Sequence, residues 1–234
     1  MSSVALTASL AAASLGVSLL PSASTPAWQS PILFDSPVRS AFRAETLSGR
    51  KTAAGVSDVL LYSSILAPAL VKGVRSDWRD VQWAANAFFA TNLLTQATKK
   101  IAARERPAAM ECRVSGTCDG GSEPTASFFS GHSSTAFTMA GLFCSPRFRE
   151  VSEISERSGP WFCGVGAGVA ATTAVLRVVA DKHFASDILA GAGVGFASGH
   201  WLSGLFFAEE GAQAAVFPVV ENGGGRGLAF RLGF

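Results

Sequence analysis

The sequence predicts an all-α protein: a helical bundle of about five core helices that spans a membrane, followed by a tail or small β-hairpin. Two compositional observations and one pattern lead there. Charged residues make up 15% of the 234 positions and hydrophobic residues 48%, whereas soluble domains are about a quarter charged. Long, nearly uncharged runs recur along the chain, and Gly and Pro punctuate the gaps between them. The length suits one domain with an ordered core. A net charge of +2 is too small to suggest a nucleic-acid partner.

Taken in order, residues 1–28 read as an export signal or an uncleaved N-terminal anchor. Residues 4–20 are almost uncharged, and small residues near 24 and 27 could serve for cleavage. Residues 29–54 are a polar connection with a short helix around Val38 to Leu47. The helical domain covers 55–207, with helices expected at about 55–72, 80–105, 131–145, 160–180 and 184–207. Ile188 to Phe207 carries no charged residue and is a good spanning candidate. Val56 to Val71 carries one charge, Asp58. Asn92, Gln96 and Lys99 fall close to one helix face, as expected if that face borders a polar site. Residues 108–127 read as an irregular loop, and 146–160 as a polar connection at the other end of the bundle. Beyond 208, AVFPVV and GLAFRLGF flank ENGGGR, the texture of a hairpin with a Gly-rich turn or of a loose tail. The interrupted apolar runs also suit the buried helices of a soluble bundle.

Cys112 and Cys118 lie in a polar stretch and can close a short disulfide loop outside the cytoplasm. Cys144 and Cys163 sit within or beside apolar stretches. No Cys or His cluster has zinc-ligand spacing, so no metal site is expected. The signal-like start and the Cys112–Cys118 pair point the site outward. The expected location is a bacterial-type inner membrane with the site facing the periplasm, or else a soluble periplasmic protein.

Three segments carry the chemistry. In KKIAARERP, Lys99 and Arg106 are seven apart, on nearly one face if the helix continues, with Pro107 ending it. Arg suits two-point contact with phosphate and Lys adds a point charge, while Lys100 and Arg104 should face elsewhere. In FFSGHSS, Ser130 and Gly131 open a helix whose free N–H groups suit an anion, and His132 can act beside it as acid or base. In RVVADKHFASD, His183 and Asp187 are one turn apart, so the carboxylate can hold one imidazole nitrogen and leave the other as nucleophile. Arg177 ends a long uncharged stretch and calls for a compensating anion.

Lys, six residues, Arg-Pro, then Ser-Gly-His, then Arg, five residues, His, three residues, Asp: this pattern resembles the three-part signature of the type 2 phosphatidic acid phosphatase superfamily. That superfamily also includes vanadium haloperoxidases and bacterial non-specific acid phosphatases. The resemblance covers about residues 55–207 and is most like a bacterial membrane lipid-phosphate phosphatase. It implies that His183 attacks phosphorus and becomes phosphohistidine, that Asp187 orients it, and that His132 protonates the leaving alcohol and later activates water. It further implies that Lys99, Arg106, Ser130, Gly131 and Arg177 bind the phosphate oxygens, with no metal or other cofactor. Two positions depart from the pattern: Phe129 stands where proline is usual, and Leu176 where serine is usual.

The expected function is therefore metal-independent hydrolysis of a phosphate monoester or diphosphate of a lipid, with the membrane as partner and no obligate protein partner. The alternatives are a soluble acid phosphatase acting on other phosphorylated small molecules, a vanadate-dependent haloperoxidase, and a non-enzymatic membrane scaffold. Only the scaffold gives no reason for His132, His183 and Asp187 to converge.

Overall fold

A helix of small residues, Gly131–Cys144, sits at the centre of the helical unit and is buried along most of its length. The computed structural model describes residues 3–72, 79–116, 123–202, 215–220 and 226–231. Among them, nine α-helices run in the order α1 (Ser3–Leu19), α2 (Asp35–Phe42), α3 (Leu47–Lys72), α4 (Arg79–Ala102), α5 (Pro107–Ser115), α6 (Gly131–Cys144), α7 (Pro146–Val151), α8 (Gly159–Val179) and α9 (Ala185–Ala197). A π-helical turn, Ser198–Leu202, extends α9.

Around α6 pack α9, α8, α4 and α3. The α6–α9 contact is backbone against backbone. A Cβ added at Gly195 would lie 2.0 Å from the Ser134 carbonyl oxygen, and one at Gly199 2.0 Å from that of Thr138. Glycine every fourth residue along α9 and its π-helical extension thus lets two helices approach closely, the small-residue mode of helix packing. On the α8 side, Ala136, Ala140 and Ala170 form a buried cluster flanked by Leu61 and Phe137. Against α4, hydroxyls meet hydroxyls: Thr95 Oγ1 lies 3.0 Å from Ser134 Oγ, and Thr138 donates to Thr91 Oγ1 at 3.1 Å. These pairings satisfy buried polar atoms while keeping the interface thin.

The expected fold needs correcting. The bundle has nine helices among the described residues, not about five core ones: α1 falls in the stretch read as a signal or anchor, α2 in the polar connection where a short helix was expected, and α5 and α7 are too short for a clear period in the sequence. Among the described residues, only Leu47–Val71 and Gly159–Val179 are long and apolar enough to cross a membrane. The described part of Ile188 to Phe207 changes from α-helix to a π-helical turn after Ala197, and its apolar character reflects close packing on α6. Asn92 and Gln96 do not border the site. Asn92 donates to Ser14 Oγ of α1 at 2.8 Å, and Gln96 donates to Asn92 at 3.3 Å.

The chain divides into two units, Met1–Ser203 and Gly204–Phe234. In the second, β1 (Ala215–Val220) and β2 (Arg226–Arg231) pair antiparallel, with Ala215 opposite Arg231 and Val220 opposite Arg226.

Candidate active site

Lys99 lies in the last turn of α4. The helix does not continue to Arg106, as the sequence suggested. It ends at Ala102, Ala103 takes a φ of 39°, and Pro107 begins α5 instead of ending α4. Proline fits a first helical turn, where its missing N–H costs nothing. Arg106 is thus the extended residue that caps α5, and the break at 103 rather than a shared helix face decides where its guanidinium goes.

The break also turns Arg104 inward, contrary to the sequence expectation. Arg104 is 1% exposed. Its guanidinium donates to Asp35 at 2.7 Å, to Ser186 at 2.8 Å and to Asp187, and it stacks over Trp28 and Phe184. Asp35 in turn accepts from the Ser186 N–H at 2.8 Å. A buried arginine is tolerable because two carboxylates neutralise it and accept from its terminal nitrogens.

Ser130 caps α6: its hydroxyl accepts from the Ser133 N–H at 3.3 Å. Its own N–H donates to the Asp187 carbonyl at 3.1 Å, and the Ser133 hydroxyl donates to that of Ile188 at 2.6 Å. The helix carrying His132 is therefore tied to the one that follows His183. Lys99 reaches the same helix start, since a Cβ at Gly131 would lie 3.5 Å from its Nζ.

His183 lies just before α9, in the turn after α8. Asp181 sets that turn with a φ of 58°. Fully buried, Asp181 binds Arg39 at 2.7 Å and Arg43 at 3.0 Å. His183 Nδ1 is 2.8 Å from the Ser127 carbonyl, so Nδ1–H is the donor and Nε2 is left with the lone pair. Asp187 Oδ2 stands 3.8 Å from Nδ1, close enough for charge to act but too far for a hydrogen bond. Its oxygens are instead taken by Arg104, the Ser127 hydroxyl at 2.6 Å and the Phe184 N–H at 2.9 Å. Ser127 thus supplies the acceptor that the sequence assigned to Asp187.

Arg177 projects from the last turn of α8 and donates to Ser57 at 2.9 Å. Asp58 Oδ1 is 3.4 Å from Arg177 Nη1 and 2.6 Å from His132 Nε2. Cys118 and the expected Cys112–Cys118 pairing lie outside the described residues. A disulfide that the sequence did not indicate joins Cys144 to Cys163.

The electrostatics match a site built for an anion. Burial, then Arg106, brings Lys99 down to about 7. Burial, then Arg106, Lys99 and Arg177, holds His183 well below its ordinary value, so it is neutral. Burial and Arg177 lower His132 to about 4, with Asp58 opposing. Burial raises Asp187, against the pull of Arg104 and its other donors. Buried Nε–H groups of Arg106 and Arg177 have no hydrogen-bond partner among the described residues. Three repelling cations around a neutral imidazole can stabilise charge that develops on a phosphoryl group during attack. Among the described residues, no three His, Cys, Asp or Glu side chains group as metal ligands.

The helical unit thus gathers three cations, a helix start and two histidines at one place. Residues 81–210, more than half of the chain, match the PAP2 superfamily model, and the chain belongs to that superfamily. Over 84 residues it is 42% identical to a lipid A 1-phosphatase of Porphyromonas gingivalis, a match covering 35% of this chain and 17% of that protein. The chain thus matches less than a fifth of that relative's length. The crystal structure of a transmembrane PAP2-type phosphatidylglycerolphosphate phosphatase from Bacillus subtilis superposes with a TM-score of 0.50 at 18% identity, covering 86% of each chain. This last likeness is one of fold.

Proposed function

We propose that this protein hydrolyses the phosphate monoester or diphosphate of a lipid through a phosphohistidine at His183, without a metal. The observation that carries the proposal is the fixing of His183 Nδ1 on the Ser127 carbonyl while Lys99, Arg106 and Arg177 bear on the same imidazole. The Nε2 lone pair forms a bond to phosphorus as the P–O bond to the alcohol breaks. His132 gives that alkoxide its proton. In the second half, His132 takes a proton from water, the water oxygen bonds phosphorus, and the P–N bond breaks to release inorganic phosphate. Lys99, Arg106, Arg177, Ser130 and the N–H groups opening α6 hold the phosphoryl oxygens.

Two features support a lipid as the substrate. The outer face of α3 is apolar, with Val59, Tyr62, Leu66 and Leu70 all more than half exposed. In addition, an apolar groove of about 220 Å³ runs between α3, α6 and α8, lined by Ala67, Ala136, Met139, Phe143, Phe162 and Val169 among others. Its lining starts at Ala136, one turn beyond His132, and continues away from the site, so a chain lying there would leave its phosphate among the cations.

A second reading, a phosphatase not spanning the membrane, is favoured by the Cys144–Cys163 disulfide. Cys144 ends α6, roughly 20 Å along the helix from its site-bearing start. A spanning bundle with its site outward would put that bond toward the reducing side.

The test is phosphate release from phosphatidate, phosphatidylglycerol phosphate, polyprenyl diphosphate, lipid A phosphate and water-soluble esters, with chelator present and beside His183→Ala. Release from lipid phosphates by wild type alone supports the proposal. Preference for soluble esters, with active protein recovered without detergent, selects the second reading. No release from any of them refutes both.

A further inference from the structure

Asp58 lies in α3, upstream of the matched residues 81–210, and belongs to none of the three motif segments. It nevertheless faces the site. His132 Nε2 is 2.6 Å from its Oδ1, and Arg177 Nη1 is 3.4 Å from the same oxygen. Arg177 is also held by Ser57, the preceding residue, at 2.9 Å. One turn of α3 therefore grips both the candidate acid and a phosphate-binding arginine.

A carboxylate here carries a cost for a phosphatase, because it repels the anion that the cations attract. Its placement is explained by what it does to His132. From α3, Asp58 brings negative charge. From α4 Lys99, from the segment before α5 Arg106, from α8 Arg177 and from the following turn His183 make up the rest of the surroundings. Lys99 and Arg177 both disfavour the imidazolium, and Asp58 opposes them. An acid must carry a proton when the leaving alkoxide forms.

Resting on the phosphatase reading above, we infer that Asp58 is the positioning residue of the leaving-group acid. It accepts the Nε2–H of His132, which makes Nδ1 the nitrogen that serves the leaving oxygen, and its charge opposes that of the cations around the imidazole. The relation parallels that of Ser127 to His183 with the nitrogens exchanged. Ser127 occupies Nδ1 and frees Nε2 for attack, whereas Asp58 occupies Nε2 and frees Nδ1 for proton transfer. Asp58 is about half exposed, so its influence on His132 is expected to be about one pH unit, at the low end for a neighbouring opposite charge.

The test uses Asp58→Asn, which keeps an acceptor but loses the charge, and Asp58→Glu, which keeps the charge. The imidazoles of histidine-labelled protein are titrated by NMR with and without inorganic phosphate. The chain has three histidines, and His132→Gln assigns the signal. In Asp58→Asn the His132 midpoint should fall by about one unit, and Asp58→Glu should restore most of it. With a glycerol phosphate ester, the alkaline limb of kcat should move down by the same amount. The loss at a fixed pH on that limb should be about tenfold, and far smaller with a nitrophenyl ester, whose leaving group needs no acid. KM should change little. A His132 midpoint unchanged in Asp58→Asn overturns the inference whatever the activity. So does an equal rate loss on both esters, which would mark a merely structural residue. Wild-type protein that hydrolyses no phosphate ester refutes the phosphatase reading and, with it, the acid role. The titration then still decides whether Asp58 sets the charge of His132.

Discussion

Gly195 offers the sharpest test of how the bundle holds its site. A methyl group there would sit 2.0 Å from the Ser134 carbonyl oxygen, 2.8 Å from its carbon and 2.9 Å from its Cα. All three are backbone atoms of α6, so no side chain can swing aside. Reaching even the 3.0 Å limit requires the helices to part by about 1 Å, 3.0 less 2.0. Overpacking of this kind costs about 1–3 kcal/mol, and the rigid backbone on both sides argues for the upper end. For a chain of this size that corresponds to a melting temperature lower by roughly 6–12 °C. The same displacement moves His132 relative to His183, and a 1 Å error in a catalytic pair can cost about a hundredfold in rate. Gly193, two residues earlier, is the control: a Cβ there meets nothing within 4 Å. Gly193→Ala should be neutral or stabilising by about 0.5–1 kcal/mol through helix propensity. Thermal melts followed by circular dichroism, with phosphate release measured on the same samples, make the comparison. A Gly195→Ala protein that melts with wild type, or a Gly193→Ala protein equally damaged, would refute the close α6–α9 packing.

Other outcomes follow from the charges. Lys99, brought down to about 7, is charged below that pH and neutral above it, so kcat/KM should fall by up to about tenfold per unit above pH 7, where the ester is already a dianion. Lys99→Arg should flatten that fall, and the same slope in the variant would discount Lys99. Arg104→Met leaves Asp35 and Asp187 buried without their cation, so chemical denaturation should show a loss of about 3–5 kcal/mol; unchanged stability would remove Arg104 as the brace of α9. Replacing Cys144 and Cys163 together by Ala should cost about 3 kcal/mol for a loop of 19 residues in the chain-entropy model, read as a lower denaturant midpoint, and identical midpoints would argue that the bond does not form.

The chemistry-bearing residues were legible because their spacing is local. Ser-Gly-His at a helix start and a cation at the end of α8 can be read from a few neighbours. Asp187 shows where such reading stops. The one-turn rule assumes both partners lie in helix, but His183 precedes α9, and Asp187 at its third position accepts from the Phe184 N–H and turns toward Arg104. Continuity across Ala103 was assumed in the same way, and its φ of 39° redirected both Arg104 and Arg106. Asp58 carried a usable signal as the lone charge of an apolar run, of the kind that marks function inside apolar helices. Its partner His132 lies 74 residues away in sequence, so only the folded chain reveals the pairing. The Cys144–Cys163 bond likewise depends on α6 and α8 lying side by side.

The most direct measurement is to trap the covalent intermediate. Protein mixed with a nitrophenyl phosphate is quenched in alkali, which preserves phosphohistidine, then digested and mapped by mass spectrometry. The expected result is one phosphoryl group on the peptide containing His183, absent in His183→Ala and accumulating in His132→Ala, where water activation is slowed. A phosphoryl group on another residue, or turnover with no trapped intermediate in either wild type or His132→Ala, would contradict nucleophilic attack by His183.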